Sequence, residues 1–207
     1  MTRGKFITLE GGEGAGKSTQ IKLLAHFLRD KGLTVVETRE VGGSPGAEEI
    51  RKLWLSKDEG YWDPLTELLL ITAARRDHLV KTIWPALEQG HWVISDRFFD
   101  STSAYQGLGL KLGLSTVDQL YKLIADQFRP DATLLLDIPV EIGLARIRKR
   151  GETDDRYEQQ DHHFHNLLRQ SYQYLAETYP ERITMIDATS GSQEIAHQIQ
   201  GFIQRIL

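Results

Sequence analysis

Residues 6–19, Phe6-Ile7-Thr8-Leu9-Glu10-Gly11-Gly12-Glu13-Gly14-Ala15-Gly16-Lys17-Ser18-Thr19, begin as an apolar run, break on glycines and restart as a helix. The run at 6–9 reads as a short strand. From 16 to 29, Ile21, Leu24, Ala25 and Leu28 recur on one helical face. Between the two, residues 11–18 match the pattern G-x-x-x-x-G-K-[ST], and a strand before it and a helix after it turn that pattern into a phosphate cradle. Glycines let the backbone wrap closely around phosphates. Backbone N–H groups and the helix N-terminus supply fixed positive potential. Lys17 is placed to reach the β- and γ-phosphates of a nucleoside triphosphate, and the Ser18 hydroxyl to ligate Mg²⁺. The expected triphosphate-binding residues are therefore Gly11, Gly12, Glu13, Gly14, Ala15, Gly16, Lys17, Ser18 and Thr19.

Outward from this loop, strand-like runs recur at residues 34–38, 92–95, 133–136 and 183–186, with helical stretches between them. A last helix is expected over about 193–207, where Ile195, Ile199, Phe202, Ile203 and Ile206 form a stripe. Repeated strand–helix alternation predicts an α/β fold: a five-stranded parallel sheet with right-handed crossovers, flanked by helices on both faces. Buried parallel strands read as unbroken apolar runs, as these do. With 207 residues, 40% apolar and 26% charged, the chain fits one domain spanning residues 1–207. Ligands in such sheets bind beyond the carboxyl ends of the strands.

Composition narrows the function. A net charge of -4 argues against a general nucleic-acid binder. The absence of cysteine removes disulfides, thiolate metal sites and cysteine nucleophiles, and suits a reducing compartment. No leader-like segment or long apolar stretch appears, so a cytoplasmic protein with no membrane partner is expected. A guanine-reading Asn-Lys-x-Asp element is missing, because the only asparagine is Asn166, followed by Leu167. Motor ATPases usually end a strand in Asp-Glu; here Asp137 precedes Ile138 and Asp96 precedes Arg97. A small-molecule kinase using ATP and Mg²⁺ remains.

Two arginines follow predicted strands, Arg39 in Thr38-Arg39-Glu40-Val41-Gly42-Gly43 and Arg97 in Asp96-Arg97. Both therefore fall at the rim that carries the phosphate loop. Guanidinium groups there are suited to grip an anionic acceptor bidentately. Asp96 is the expected support for Mg²⁺ beside Ser18, through water, with Asp137 as a structural alternative.

At this point the sequence resembles the thymidylate kinase (dTMP kinase) family, over essentially its full length. The resemblance rests on the loop with Leu9-Glu10 before it, on Thr38-Arg39-Glu40 with Gly42-Gly43, and on Ala73-Ala74-Arg75. It continues through Asp96-Arg97-Phe98, Ser101-Thr102-Ser103-Ala104-Tyr105-Gln106-Gly107, Leu136-Asp137 and Arg150-Gly151. Asp155-Arg156-Tyr157-Glu158 and Ile186-Asp187-Ala188-Thr189 complete the set. It implies a P-loop kinase fold, a dTMP acceptor and a homodimer. It also implies roles: Arg97 on the acceptor phosphate with Arg39 nearby, Arg75 reading the base, and Thr102 at the pyrimidine edge. Tyr105 would crowd the 2′ side of the sugar, Glu13 would lie near that sugar, and Gln106 belongs to the same acceptor motif.

Residues 68, 71 and 75 share one face of a helix predicted over about 64–87, which puts Ile71 and Arg75 one turn apart, able to meet a flat base by face and edge. Two positions depart from the family: Ile71 stands where a phenylalanine is common, and Val41 where the loop has proline. Arg146, Arg148, Lys149 and Arg150 end a helix, a placement that also complements its dipole. The resemblance implies a lid there, at about 146–158, closing over ATP. One form of the family carries a catalytic arginine inside the loop, where this chain has Gly14; the form common in bacteria supplies it from the lid. Arg150 is the expected lid arginine, with Arg146 second. His162, His163 and His165 read as a solvated helix rather than a metal site. The rival readings are a kinase of another nucleotide or nucleoside, and a nucleotide-binding regulator without catalysis.

Overall fold

The structure is a computed structural model and describes residues 3–56, 60–150 and 161–207, without the side chain of Arg150. The strands are β1 (Phe6–Glu10), β2 (Val35–Arg39), β3 (Trp92–Asp96), β4 (Ala132–Asp137) and β5 (Ile183–Asp187). The helices are α1 (Lys17–Asp30), α2 (Pro45–Leu55), α3 (Pro64–His78), α4 (Trp84–Glu88), α5 (Phe99–Thr102), α6 (Leu114–Ala125), α7 (Val140–Arg150), α8 (His162–Thr178) and α9 (Ser192–Ile203). Among the described residues the strands form one five-stranded sheet, all pairs parallel, in the order β2-β3-β1-β4-β5.

Strand alternation sorts the core into two faces. Ile7 and Leu9 of β1, Ile94 of β3, and Leu134 and Leu136 of β4 share one apolar cluster with Ile21, Leu24 and Leu28 of α1 and Ile195, Ile199 and Ile203 of α9. Phe6 and Val93 belong to a second cluster with Leu68 of α3 and Val117 and Tyr121 of α6. Leu135 joins a third with Leu168, Tyr172 and Leu175 of α8. Burial of each such side chain is worth about 1.5–3 kcal/mol, so both sheet faces are firmly covered.

The helix expected over 64–87 is interrupted. After α3, capped by Asp63, which accepts from the N–H groups of Leu65 and Thr66, residues Leu79–Ile83 form a π-helical turn before α4. Pro85 supplies the reason. It lacks an N–H, and in a regular α-helix its ring collides with the carbonyl four residues back. The wider turn, in which the Trp84 N–H reaches Leu79 O, eases that collision. The last helix ends at Ile203, with i→i+3 turns carrying the chain to Ile206. No helix among the described residues is long and apolar enough to cross a membrane.

Candidate active site

β1, β2 and β3 release the chain at one rim, as Gly11, Glu40 and Arg97. A cavity of about 270 Å³ opens there, and its walls bring Glu13, Gly14, Gly16, Lys17, Ser18 and Thr19 together with Arg39, Ile71, Arg75, Asp96, Arg97, Thr102, Tyr105 and Gln106. Most of the residues singled out in the sequence thus share one space.

Within the loop, Lys17 Nζ donates to the carbonyls of Gly11 and Gly12 at 3.1 Å each. Burial lowers its pKa, and Arg97 pulls the same way, while Glu13, Asp96 and Glu10 oppose them. Ser18 Oγ donates to Asp96 Oδ2 at 3.0 Å, so two hard oxygen donors lie side by side where the helix begins. Ala15 is fully buried. At Gly14, φ is 71°, and a Cβ would overlap the backbone of Gly143 in α7.

Arg97 is held in the left-handed region at φ 66°, which costs a residue with a side chain about 1–3 kcal/mol. Its neighbours over-determine it. Nη1 donates to Gly11 O (3.1 Å), Ser101 Oγ (3.2 Å) and Tyr172 Oη (2.9 Å), and Nη2 to Glu13 Oε1 (2.5 Å). The next residue, Phe98, donates its N–H to Glu10 Oε1 at 2.7 Å, and Ser101 donates to Glu10 Oε2 at 2.5 Å. Burial is the largest single influence on Glu13 and pushes its pKa up. Arg97, Lys17, the hydrogen bond from Tyr105 (2.8 Å) and His165 together outweigh it and hold the carboxyl at about 2. Burial also works against the charge on Arg97, and Glu13, Tyr105, Tyr172 and Asp96 together more than offset it. Tyr105 lays its ring 5.2 Å from the guanidinium carbon of Arg97.

Further along the cavity, Arg75 is buried on α3. Its Nε donates to Glu40 Oε2 (2.7 Å) and its Nη2 to Thr102 Oγ1 (2.8 Å) and Phe98 O (3.3 Å). Ile71 lies one turn earlier on the same wall. Gln106 Nε2 donates to Glu67 Oε1 at 2.8 Å. Arg39 is far more exposed than Arg97, with 56% of its side chain open against 16%, and it pairs with Glu48 at 3.0 Å. The Glu40–Val41 peptide is cis.

Not every expected residue comes to this cavity. Arg146 points along α7 to the turn after β5, donating to Ala188 O (3.1 Å) and Thr189 O (3.4 Å). The side chain of Arg150 and residues 151–158 of the expected lid lie outside the described residues. Asp137 is occupied by Arg169, which donates Nε and Nη2 at 2.8 Å each. The histidines read together as solvated are divided by α8: His162 is exposed and 3.2 Å from Glu141, whereas His165 is buried. Its burial corrects the expectation and follows from its position on the stripe with Leu168, Tyr172 and Leu175. Among the described residues no cluster of three His, Asp or Glu side chains is placed to hold a metal ion by itself.

Several residues here carry no role in the sequence reading: Glu10, Glu40 and Tyr172 as anchors, and Arg51 and Trp54 as cavity walls. A charged residue closing the apolar strand β1 was the available signal for Glu10. For Tyr172 it was the helical stripe of α8.

Known proteins resemble this chain over most of its length. The sequence model of the family described as thymidylate kinase matches residues 9–199. A thymidylate kinase of Alkalilimnicola ehrlichii is 51% identical over 188 residues, 91% of this chain and 87% of the relative. One of Vesicomyosocius okutanii is 47% identical over 206 residues, covering 100% of both chains. The crystal structure of thymidylate kinase from Ehrlichia chaffeensis superposes with a TM-score of 0.78 at 35% identity, covering 97% of this chain and 99% of that one. A family model that spans residues 9–199, with relatives 51% and 47% identical over 91% and 100% of this chain, means that the chain belongs to the thymidylate kinase family.

Proposed function

We infer that this chain transfers the γ-phosphoryl group of ATP to dTMP, giving ADP and dTDP. The observation that carries the reading is a single cavity with Lys17 and Ser18 at one end, Arg75 and Thr102 at the other, and Arg97 beside the loop. Two phosphate-bearing molecules meeting end to end need that layout, since the obstacle is repulsion between anions rather than a weak nucleophile. The acceptor monoester has a second pKa of about 6, so its oxygen is already anionic near neutrality and no strong base is required.

The loop's N–H groups and Lys17 bind the ATP phosphates. Arg97 grips the phosphate of dTMP, with the more exposed Arg39 beside it. The Arg75 bonds among the described residues engage Nε and Nη2, leaving Nη1 as a donor toward the thymine carbonyl while Ile71 covers the ring. Cytosine offers an amino donor at that edge, so two donors would face each other and dCMP is disfavoured. Tyr105 and Gln106 complete the sugar side, and Glu13 fixes Tyr105 and Arg97.

The adjacent oxygens of Ser18 and Asp96 suit Mg²⁺, which demands hard donors and keeps several waters. When bound, the ion neutralises charge on the transferred phosphoryl group. With glycine at position 14 the loop itself offers no arginine, and the reading takes the second catalytic cation from the lid at about 146–158. Arg150 is the residue proposed for it, with Arg146 as the alternative. The chain works as one catalytic domain, in a homodimer, in the cytoplasm; its lack of cysteine fits a reducing compartment.

The test is ADP release from ATP-Mg²⁺ with dTMP, dUMP, dCMP, dGMP, UMP, AMP and thymidine in parallel. dTMP is expected to give the highest kcat/KM. AMP or thymidine outperforming dTMP overturns the reading.

A further inference from the structure

Arg75 reaches the cavity from α3, and a second layer of side chains behind it has no place in the proposed chemistry. Glu40 uses both carboxylate oxygens: Oε2 accepts from Arg75 Nε at 2.7 Å, and Oε1 lies 3.0 Å from His78 Nδ1. A carboxylate only accepts, so Nδ1 carries a proton. On the far side of the ring, His78 Nε2 lies 2.7 Å from Thr38 Oγ1. His78 has no exposed surface and does not line the cavity, so it meets a ligand only through Glu40.

The surrounding loop is fastened to α3 and to the π-helical turn that follows it. Thr82 donates to Gly43 O at 2.8 Å, and Ser44 donates to Asp77 Oδ2 at 2.7 Å. Gly43 packs so closely on the His78–Thr38 contact that a Cβ there would overlap both side chains.

We propose that His78 is a positioning residue for acceptor specificity: anchored by Thr38, it orients Glu40, which in turn fixes the guanidinium of Arg75 at the base edge. This rests on the reading of Arg75 as the base-facing residue. Thr102 and Phe98 hold the guanidinium only at Nη2, so Nε depends on Glu40, and a carboxylate free to rotate would leave that side of the fork poorly aimed. Holding the second carboxylate oxygen removes that freedom. The consequence is specific. Loss of His78 loosens recognition of the base and leaves the phosphate loop untouched.

The experiment is steady-state kinetics on full-length variants with ATP, dTMP and dCMP. In His78→Asn the amide nitrogen takes the place of Nδ1 and keeps the bond to Glu40. In His78→Gln the amide reaches toward Thr38 and abandons Glu40. His78→Gln is expected to raise KM for dTMP about tenfold and to narrow the preference for dTMP over dCMP by a similar factor. Its KM for ATP should stay within about twofold of wild type. His78→Asn should recover most of both losses, and His78→Gln should add nothing in an Arg75→Lys background. An unchanged KM and preference in His78→Gln, a rise in both KM values together, or equal losses in the Asn and Gln variants would overturn the proposal. Should His78→Gln fail to fold, Thr38→Val frees the ring more gently and is expected to raise KM for dTMP about threefold, no change counting against the proposal. If wild type prefers a different nucleoside monophosphate, the dTMP reading fails while the same Asn–Gln comparison, run with that nucleotide, still decides the role of His78.

Discussion

Glu10 ends β1 with no exposed surface, beneath the turn that presents Arg97. Burial, and next the nearby charge of Asp100, raise its pKa from the ordinary 4.5 to about 7, against the opposing bonds from Ser101 and Phe98 and the charge of Arg97. Between those two pKa values the folded chain holds a proton that the unfolded chain has released. The contribution of Glu10 to stability is therefore complete below about pH 4.5 and is lost as pH rises through about 7. Glu10→Gln cannot titrate, so its melting temperature should fall less than that of wild type between those limits. Parallel melting-temperature curves would refute the shift. For the proposed lid, Arg150→Ala should lower kcat by about 100-fold or more, the scale of losing a charge-stabilising arginine, while KM for dTMP changes little. Unchanged turnover would refute its role.

Among the elements, the loop and α7 are matched by the absence of side chains where they touch. Gly14 at φ 71° abuts Gly143, and a Cβ on Gly143 would in turn meet Glu13 O. Gly14→Ala should cost about 1–3 kcal/mol through strain and overlap, read as a lower urea midpoint. An unshifted midpoint would mean that the two backbones separate freely. The central strands β1, β3 and β4 were legible because strands buried on both faces are mostly apolar, while the half-exposed edge strands β2 and β5 mix apolar and polar residues; each spans its expected run to within one or two residues. Helix interruptions were harder to read. The apolar spacing continues across residues 79–83, and only Pro85 announces the widened turn. In α8 the period itself carries the information: the stripe of His165, Leu168, Tyr172 and Leu175 sets buried His165 apart from exposed His162.

At the scale of the molecule, a chain of net charge -4 gathers Lys17, Arg39, Arg51, Arg75 and Arg97 around one cavity. This local reversal of sign attracts anionic ligands to a single rim. The sequence made the loop and the strand-end arginines visible, because motif and topology alone put them there. It did not reveal the supports. Glu10 depends on Ser101 and Tyr172, which lie 91 and 162 residues away, and Glu40 depends on Arg75 and His78, 35 and 38 residues away. Such pairings exist only once the sheet has brought the strand ends together.

The proposed reaction requires ATP and dTMP to occupy this rim at the same time, each in its own place. It is tested most directly by calorimetric titration of dTMP into protein already saturated with Mg²⁺ and a non-hydrolysable ATP analogue. One dTMP should bind per chain, with affinity at least equal to that measured without the analogue. Competition between the two nucleotides for a single site would contradict it.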